Sequence, residues 1–198
     1  TSATNQGVQA ALYNAGLVAN EKYTLKAEVE VITADQLQPG TSSNTSIFYA
    51  QRNAIKSFEE FKYFTGVTQI KPYTFSTLTL YGDIIIPEGV TVVKSNAFYQ
   101  TVFYGKVHIP TTITTLESNA FPYTQNSSFG GMVIYDLEKF CQIDASSASS
   151  FPTYQAQYGV NEDENKGWIY LGSEKITDLI IPSTITNIPP YFFAYWHS

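Results

Sequence analysis

Apolar positions between 64 and 193 recur in blocks. "IIIPEGVTVVKSNAF" (84–98) aligns with "VHIPTTITTLESNAF" (107–121) at an offset of 23, so that Pro87 meets Pro110, Val90 meets Ile113, Val93 meets Leu116 and SNAF meets SNAF. "LIIPSTITNIPPYFF" (179–193) lies three periods of 24 beyond the second block, with Pro182 and Phe193 in register. Upstream, "FTGVTQIKPYTF" (64–75) places Val67, Ile70 and Phe75 at the same offset of 23 before their partners, with Phe64 at the proline position. Self-similarity at such a period signals stacked single units, because one short coil cannot bury its own apolar side.

Each block predicts the same local structure. The residues before the proline alternate, so Ile84 and Ile86, Val107 and Ile109, and Leu179 and Ile181 share the core face of a short strand. Ile85, His108 and Ile180 face the other way, on the outside of the strand ladder. Proline ends the strand because it has no N–H for the ladder. Apolar positions at +3, +6 and +11 then carry the chain back over the core. Phe75, Phe98, Phe121 and Phe193 form a column beside the aliphatic one.

The stretch 122–178 holds two degenerate units. "MVIYDLEKFCQI" (132–143) puts Leu137 and Phe140 at +3 and +6 from Ile134. A Ser-rich, then acidic, insertion near 144–167 interrupts the other, and "WIYLGSEKITDLII" reads as a hairpin around Gly172-Ser173. The segment 1–55 does not repeat. Val8, Leu12 and Ala15 stand at helical spacing, as do Leu25, Val29 and Ile32 after a Thr24 cap, and "SFEE" (57–60) is a capping box with Ser57 and Glu60. Two regions follow: a helical N-terminal cap over 1–55, and a repeat array over 56–198 of about five or six units with a period of 23 to 24.

Composition narrows the function. Of 198 residues only 14% are charged, whereas 15 are Tyr and 13 are Phe, so hydroxyls and amides must carry the surface. A net charge of -6 argues against a nucleic-acid partner, which requires clustered Lys and Arg. No apolar run reaches the roughly 20 residues of a membrane span. The opening "TSATNQG" reads as a mature or trimmed terminus, with any leader or lipid anchor upstream. Cys141 is the sole cysteine, which excludes an intramolecular disulfide and a Cys-based zinc site.

Candidate binding positions are those that the core leaves exposed. They are Ile85, Lys106, His108, Asp178 and Ile180 around the strand face, with Tyr104 and Trp168 among aromatics off the core register. Such rings suit a binding surface, since they bury large area at low entropic cost, and they also suit the seams between coils. Glu162, Asp163 and Glu164 are a weak metal candidate: three carboxylates in one loop without the alternating Asp pattern and Gly of a calcium loop. No cofactor is expected, and no nucleophile elbow, zinc-helix motif or phosphate-binding Gly loop is present.

The blocks around Pro87 and Pro110 resemble BspA-like leucine-rich repeats, whose pattern runs L-x-x-I-x-I-P-x-x-V-x-x-I-x-x-x-A-F. "FEEFKYFTGVTQIKPYTF" is similar to the segment that opens such arrays, and "IYDLEKFCQI" with "IYLGSEKITDLIIPSTITNI" resembles a recurrent variant unit. The resemblance covers 56–198 and departs from the pattern at "PPYFF". It implies a β-rich, right-handed solenoid with short strands and 3-10 or helical turns. It also implies an exported or cell-surface location, as in Bacteroidetes, and a binding or adhesion role without catalytic residues. The expected partner is a protein or a glycan, met by a monomer. The alternatives are a structural spacer and a glycan-acting enzyme. Five or six strands at roughly 4.8 Å give a face about 20–30 Å wide.

Overall fold

The computed structural model describes residues 6–122, 124, 129–156, 168–188 and 190–194. Among the described residues, eleven short strands follow one another: β1 Gln69–Ile70, β2 Thr79–Leu80, β3 Ile84–Ile85, β4 Val92–Val93, β5 Val102–Phe103, β6 Lys106–His108, β7 Thr115–Leu116, β8 Gly131–Ile134, β9 Asp144–Ala145, β10 Ile169–Leu171 and β11 Glu174–Lys175. They form three sheets, β1-β4-β7-β9, β3-β6-β8-β10-β11 and β2-β5. Every pairing is parallel except β10–β11, the hairpin around Gly172-Ser173. Few helices accompany them, and the described strands close no barrel.

The repeat offset is the ladder register. Ile84 pairs with Val107, Val93 with Leu116 and Leu80 with Phe103. Parity then decides burial: Ile84, Ile86, Val107 and Ile109 are buried, while Ile85 and His108 are partly exposed on the other side. Val90, Val93, Ile113 and Leu116, which follow the two prolines at +3 and +6, join the same core, as do Ile134 and Phe140 of the degenerate unit.

A column of rings runs beside the aliphatics. Phe48, Phe75, Phe98 and Phe121 stack nearly parallel, with centroid separations of 5.6, 5.1 and 4.7 Å. Burying a Phe side chain contributes about 1.5–3 kcal/mol, and each aromatic pair about 0.5–1.5 kcal/mol more. Within the repeat blocks the turn before the ring holds a left-handed residue. Tyr73, Asn96, Asn119 and Tyr191 occupy that one repeat position with φ of 64°, 59°, 57° and 65°. Asn tolerates this region best among residues with a side chain. The turns are hydrogen-bonded to each other: Tyr73 N–H donates to Asn96 O (2.9 Å) and Asn96 N–H to Asn119 O (2.8 Å).

Glycines allow backbone to meet backbone at another corner. A Cβ on Gly105 would run into the Gly82 carbonyl, and one on Gly130 would lie 2.8 Å from the Gly105 carbonyl carbon.

Four local expectations are corrected. The segment 179–181 forms no strand, so Ile180 is not on the ladder; it is 83% exposed. In the last block the buried ring is Phe192, packed 4.9 Å from Phe140, while Phe193 is 44% exposed. "PPYFF" puts a ring where the other blocks carry Ala97 and Ala120, and that ring takes the core place. The second helix spans only Lys26–Val29, with Leu25 as its exposed N-cap in place of Thr24, because the Glu28 carboxylate accepts from Leu25 N–H and Ala19 N–H, both at 2.8 Å. The short helix predicted to open at Ser57 is a 3-10 turn over Glu59–Tyr63 that starts from Phe58, whose ring is drawn into the cluster of Phe48, Phe61 and Phe64. The first helix, Gln6–Asn14, buries Val8, Ala11 and Leu12 as its spacing predicts, and stops before Ala15.

Candidate functional site

The outward face of the five-stranded sheet gathers the polar and aromatic side chains that the core excludes. Its parity follows from the register. Ile85, His108, Val133, Tyr170 and Lys175 lie on one cross-strand row, and Lys106 and Gly131 on the next. Asp83 lies two residues before Ile85, Tyr135 two beyond Val133 and Trp168 two before Tyr170, so all three share the outward parity.

His108 is the centre of a hydrogen-bonded chain across three units. Its Nε2 lies 3.1 Å from Asp83 Oδ2, and its Nδ1 lies 2.7 Å from the Tyr135 hydroxyl. A carboxylate only accepts, so a neutral imidazole meets both contacts as the Nε2–H tautomer, donating to Asp83 and accepting from Tyr135. The other Asp83 oxygen accepts from Lys106 N–H at 2.8 Å. The hydrogen bond from His108 lowers the Asp83 pKa against the opposing effect of burial, assisted by the Lys106 amide and by nearby positive charge.

Two lysines are held over rings on the same face. Lys106 Nζ lies 3.7 Å from the Tyr170 centroid and Lys175 Nζ lies 3.1 Å from the Trp168 centroid. Gly131 makes the first pair possible: a Cβ there would sit 2.8 Å from the Tyr170 ring, so the ring occupies the space a side chain would fill. At the adjoining corner Tyr81 and Tyr104, both exposed, stack at 4.7 Å with 8° between their planes.

The carboxylate–imidazole–hydroxyl chain has the outline of a catalytic relay without an activated nucleophile. Its hydroxyl is the Tyr135 phenol, whose pKa is pushed up by burial and by the charges of Asp83 and Glu88. Cys141 is buried, and burial, with the Glu138 charge, pushes its thiol up as well, away from the reactive thiolate. It lines a cleft of about 800 Å³ between 138–146 and the last turn, where Thr184 Oγ1 donates to Glu138 Oε1. No metal-binding cluster of His, Cys, Asp and Glu is found among the described residues, and Glu162, Asp163 and Glu164 lie outside them.

Of the residues singled out from sequence, Ile85, Lys106, His108 and Trp168 come together on this face and Tyr104 borders it. Asp178 and Ile180 lie past β11, exposed and off the ladder. Asp83, Tyr170 and Lys175 were missed. The first was readable, since it shares the parity of Ile85 and stands one repeat offset before Lys106. The other two depend on a β8-to-β10 register that no repeat spacing announces.

Comparison with known proteins bears on the scaffold. No curated protein and no solved structure matches the chain. The family model for the BspA type leucine rich repeat region matches residues 41–129, in six copies, and this span holds the Phe48-to-Phe121 column and the blocks around Pro87 and Pro110. Over residues 41–129, therefore, the chain is a BspA-type leucine-rich repeat region.

Proposed function

We propose that this chain is a non-catalytic cell-surface module that binds a protein partner through the outer face of its five-stranded sheet. The family suggests a protein-interaction or surface module, and its repeats are typically non-catalytic. In this reading the parallel ladders are the walls of a short right-handed solenoid, with 1–55 as its cap and 56–198 as its array, in an extracellular or cell-surface setting. No described helix is long and apolar enough to cross a membrane.

The observation that carries the reading is the set Asp83, Lys106, His108, Tyr135 and Tyr170, with the Trp168–Lys175 pair beside it. The first five are linked across units by hydrogen bonds and a cation–ring contact, and Lys175 is held over Trp168. Side chains immobilised before binding lose less entropy on binding, and Tyr and Trp dominate interface hot spots. A spacer has no use for such pre-ordering.

The test is a panel of immobilised extracellular-matrix proteins and glycans probed with the purified chain. Saturable binding to at least one protein supports the proposal. Binding to glycans alone replaces the partner class, and silence across the panel returns the spacer reading.

A further inference from the structure

The stack of units opens at the cleft beside Cys141. In the earlier blocks the fourth residue after the proline position closes the seam to the unit before it. Thr91 Oγ1 donates to Thr68 O at 3.3 Å and Thr114 Oγ1 to Thr91 O at 3.1 Å. Thr186 holds the same position after Pro182, and its side chain makes no hydrogen bond among the described residues. Ile188 marks the same separation: its counterparts Val93 and Leu116 are fully buried, whereas Ile188 is 39% exposed. The space left between 142–146 and 184–187 is the cleft of about 800 Å³, within the range of roughly 300–1,000 Å³ usual for small-molecule sites.

The accessible lining is made of polar side chains and one ring. Gln142, Asp144, Thr186 and Asn187 are exposed, and their side chains form no hydrogen bond among the described residues. Tyr191 is half exposed. No Lys or Arg lines the cleft, and Glu138 and Asp144 repel a phosphate or carboxylate. A lipid tail finds little apolar surface, because Ile143 and Ala145 are buried. A peptide strand has no open edge to pair with. Asp144 N–H donates to Thr114 O on the β7 side, so the outer edge of β9 is the Ala145 backbone, and Ala145 is only 5% exposed. A neutral sugar meets none of these obstacles. Its hydroxyls both donate and accept, matching carboxylate, amide and hydroxyl side chains, and its C–H face suits an aromatic ring.

We propose that this cleft binds a neutral oligosaccharide, whose hydroxyl groups pair with Gln142, Asp144, Thr186 and Asn187 and whose ring rests on Tyr191. The site shares no residue with the outer sheet face and does not depend on the reading of that face.

A printed array of neutral, sialylated and sulfated oligosaccharides probed with the intact chain, followed by NMR titration with the best-bound neutral glycan, tests the assignment. The chain should bind neutral glycans in preference to sialylated or sulfated ones, with shifts at the Ile143, Ala145 and Ile185 methyl groups. Tyr191→Asn/Asn187→Ala removes the ring and one amide, and at 191 it installs the residue that Asn96 and Asn119 supply to the same left-handed turn. Loss of a ring and a hydrogen bond should weaken binding at least about tenfold. If the variant fails to fold, the glycan preference and the methyl shifts of the wild type decide. Silence across the array, a preference for anionic glycans, shifts at Ile85 on the sheet face in place of the cleft methyls, or undiminished affinity in a folded variant overturns the proposal.

Discussion

Phe98 has rings on both sides, Phe75 at 5.1 Å and Phe121 at 4.7 Å, and no exposure. Phe98→Ala should cost about 3–5 kcal/mol, read as a lower urea midpoint. The last block gives a sharper contrast. Phe192→Ala should destabilise by about 3 kcal/mol and the exposed Phe193→Ala by less than about 1 kcal/mol, the reverse of what repeat spacing alone predicts. Asp83 links the site to pH. Its folded pKa lies below that of an unfolded Asp, so its contribution to stability is complete above about pH 4 and is lost as pH falls through the folded value. His108→Leu removes the main cause of that depression. The variant should then lack this contribution, so that its melting temperature falls less than that of the wild type as pH drops below about 4, and parallel acid limbs would refute the link.

At the scale of strands and turns, the close approach of Gly82, Gly105 and Gly130 sets how tightly successive units stack. Gly105→Ala must displace the Gly82 carbonyl and should cost at least about 1–3 kcal/mol, which chemical denaturation measures. Legibility from sequence changes at this scale. Up to Phe121 the offset is constant, and a constant offset is a register: Ile84 on Val107 and Val93 on Leu116 could be read directly. Beyond it the register widens unevenly, with Val107 on Met132, Leu116 on Ala145 and Met132 on Ile169. Loops of different length absorb the difference without disturbing the ladder, and a search at fixed period does not see them. The block at 179–193 kept its spacing but lost its strand, because β11 turns back against β10 and occupies the edge of the sheet. His108 and Lys106 were legible from alternation alone. Asp83 stands one constant offset before Lys106 and was legible in the same way, whereas Tyr135 and Tyr170 come from units beyond the constant offset, so their contacts depend on registers that had to be known first.

For the whole molecule, the repeats make one side of the sheet a core and leave the other as a polar, aromatic surface in an acidic, sparsely charged protein. The surface is ordered by contacts between units, so the stability of the stack and the geometry of the face are coupled. A partner found in the panel allows the decisive comparison: binding of the wild type, of a His108→Ala/Trp168→Ala variant on the face, and of a Tyr23→Ala/Val31→Ala variant at exposed N-terminal positions, each with its fold checked by circular dichroism. Hot-spot residues cost about 2 kcal/mol or more each, so the face variant should bind at least about tenfold more weakly while the N-terminal variant stays within about twofold of the wild type. Equal binding by a folded face variant, or an equal loss in the N-terminal variant, would contradict the assignment of the outer sheet face as the interaction surface.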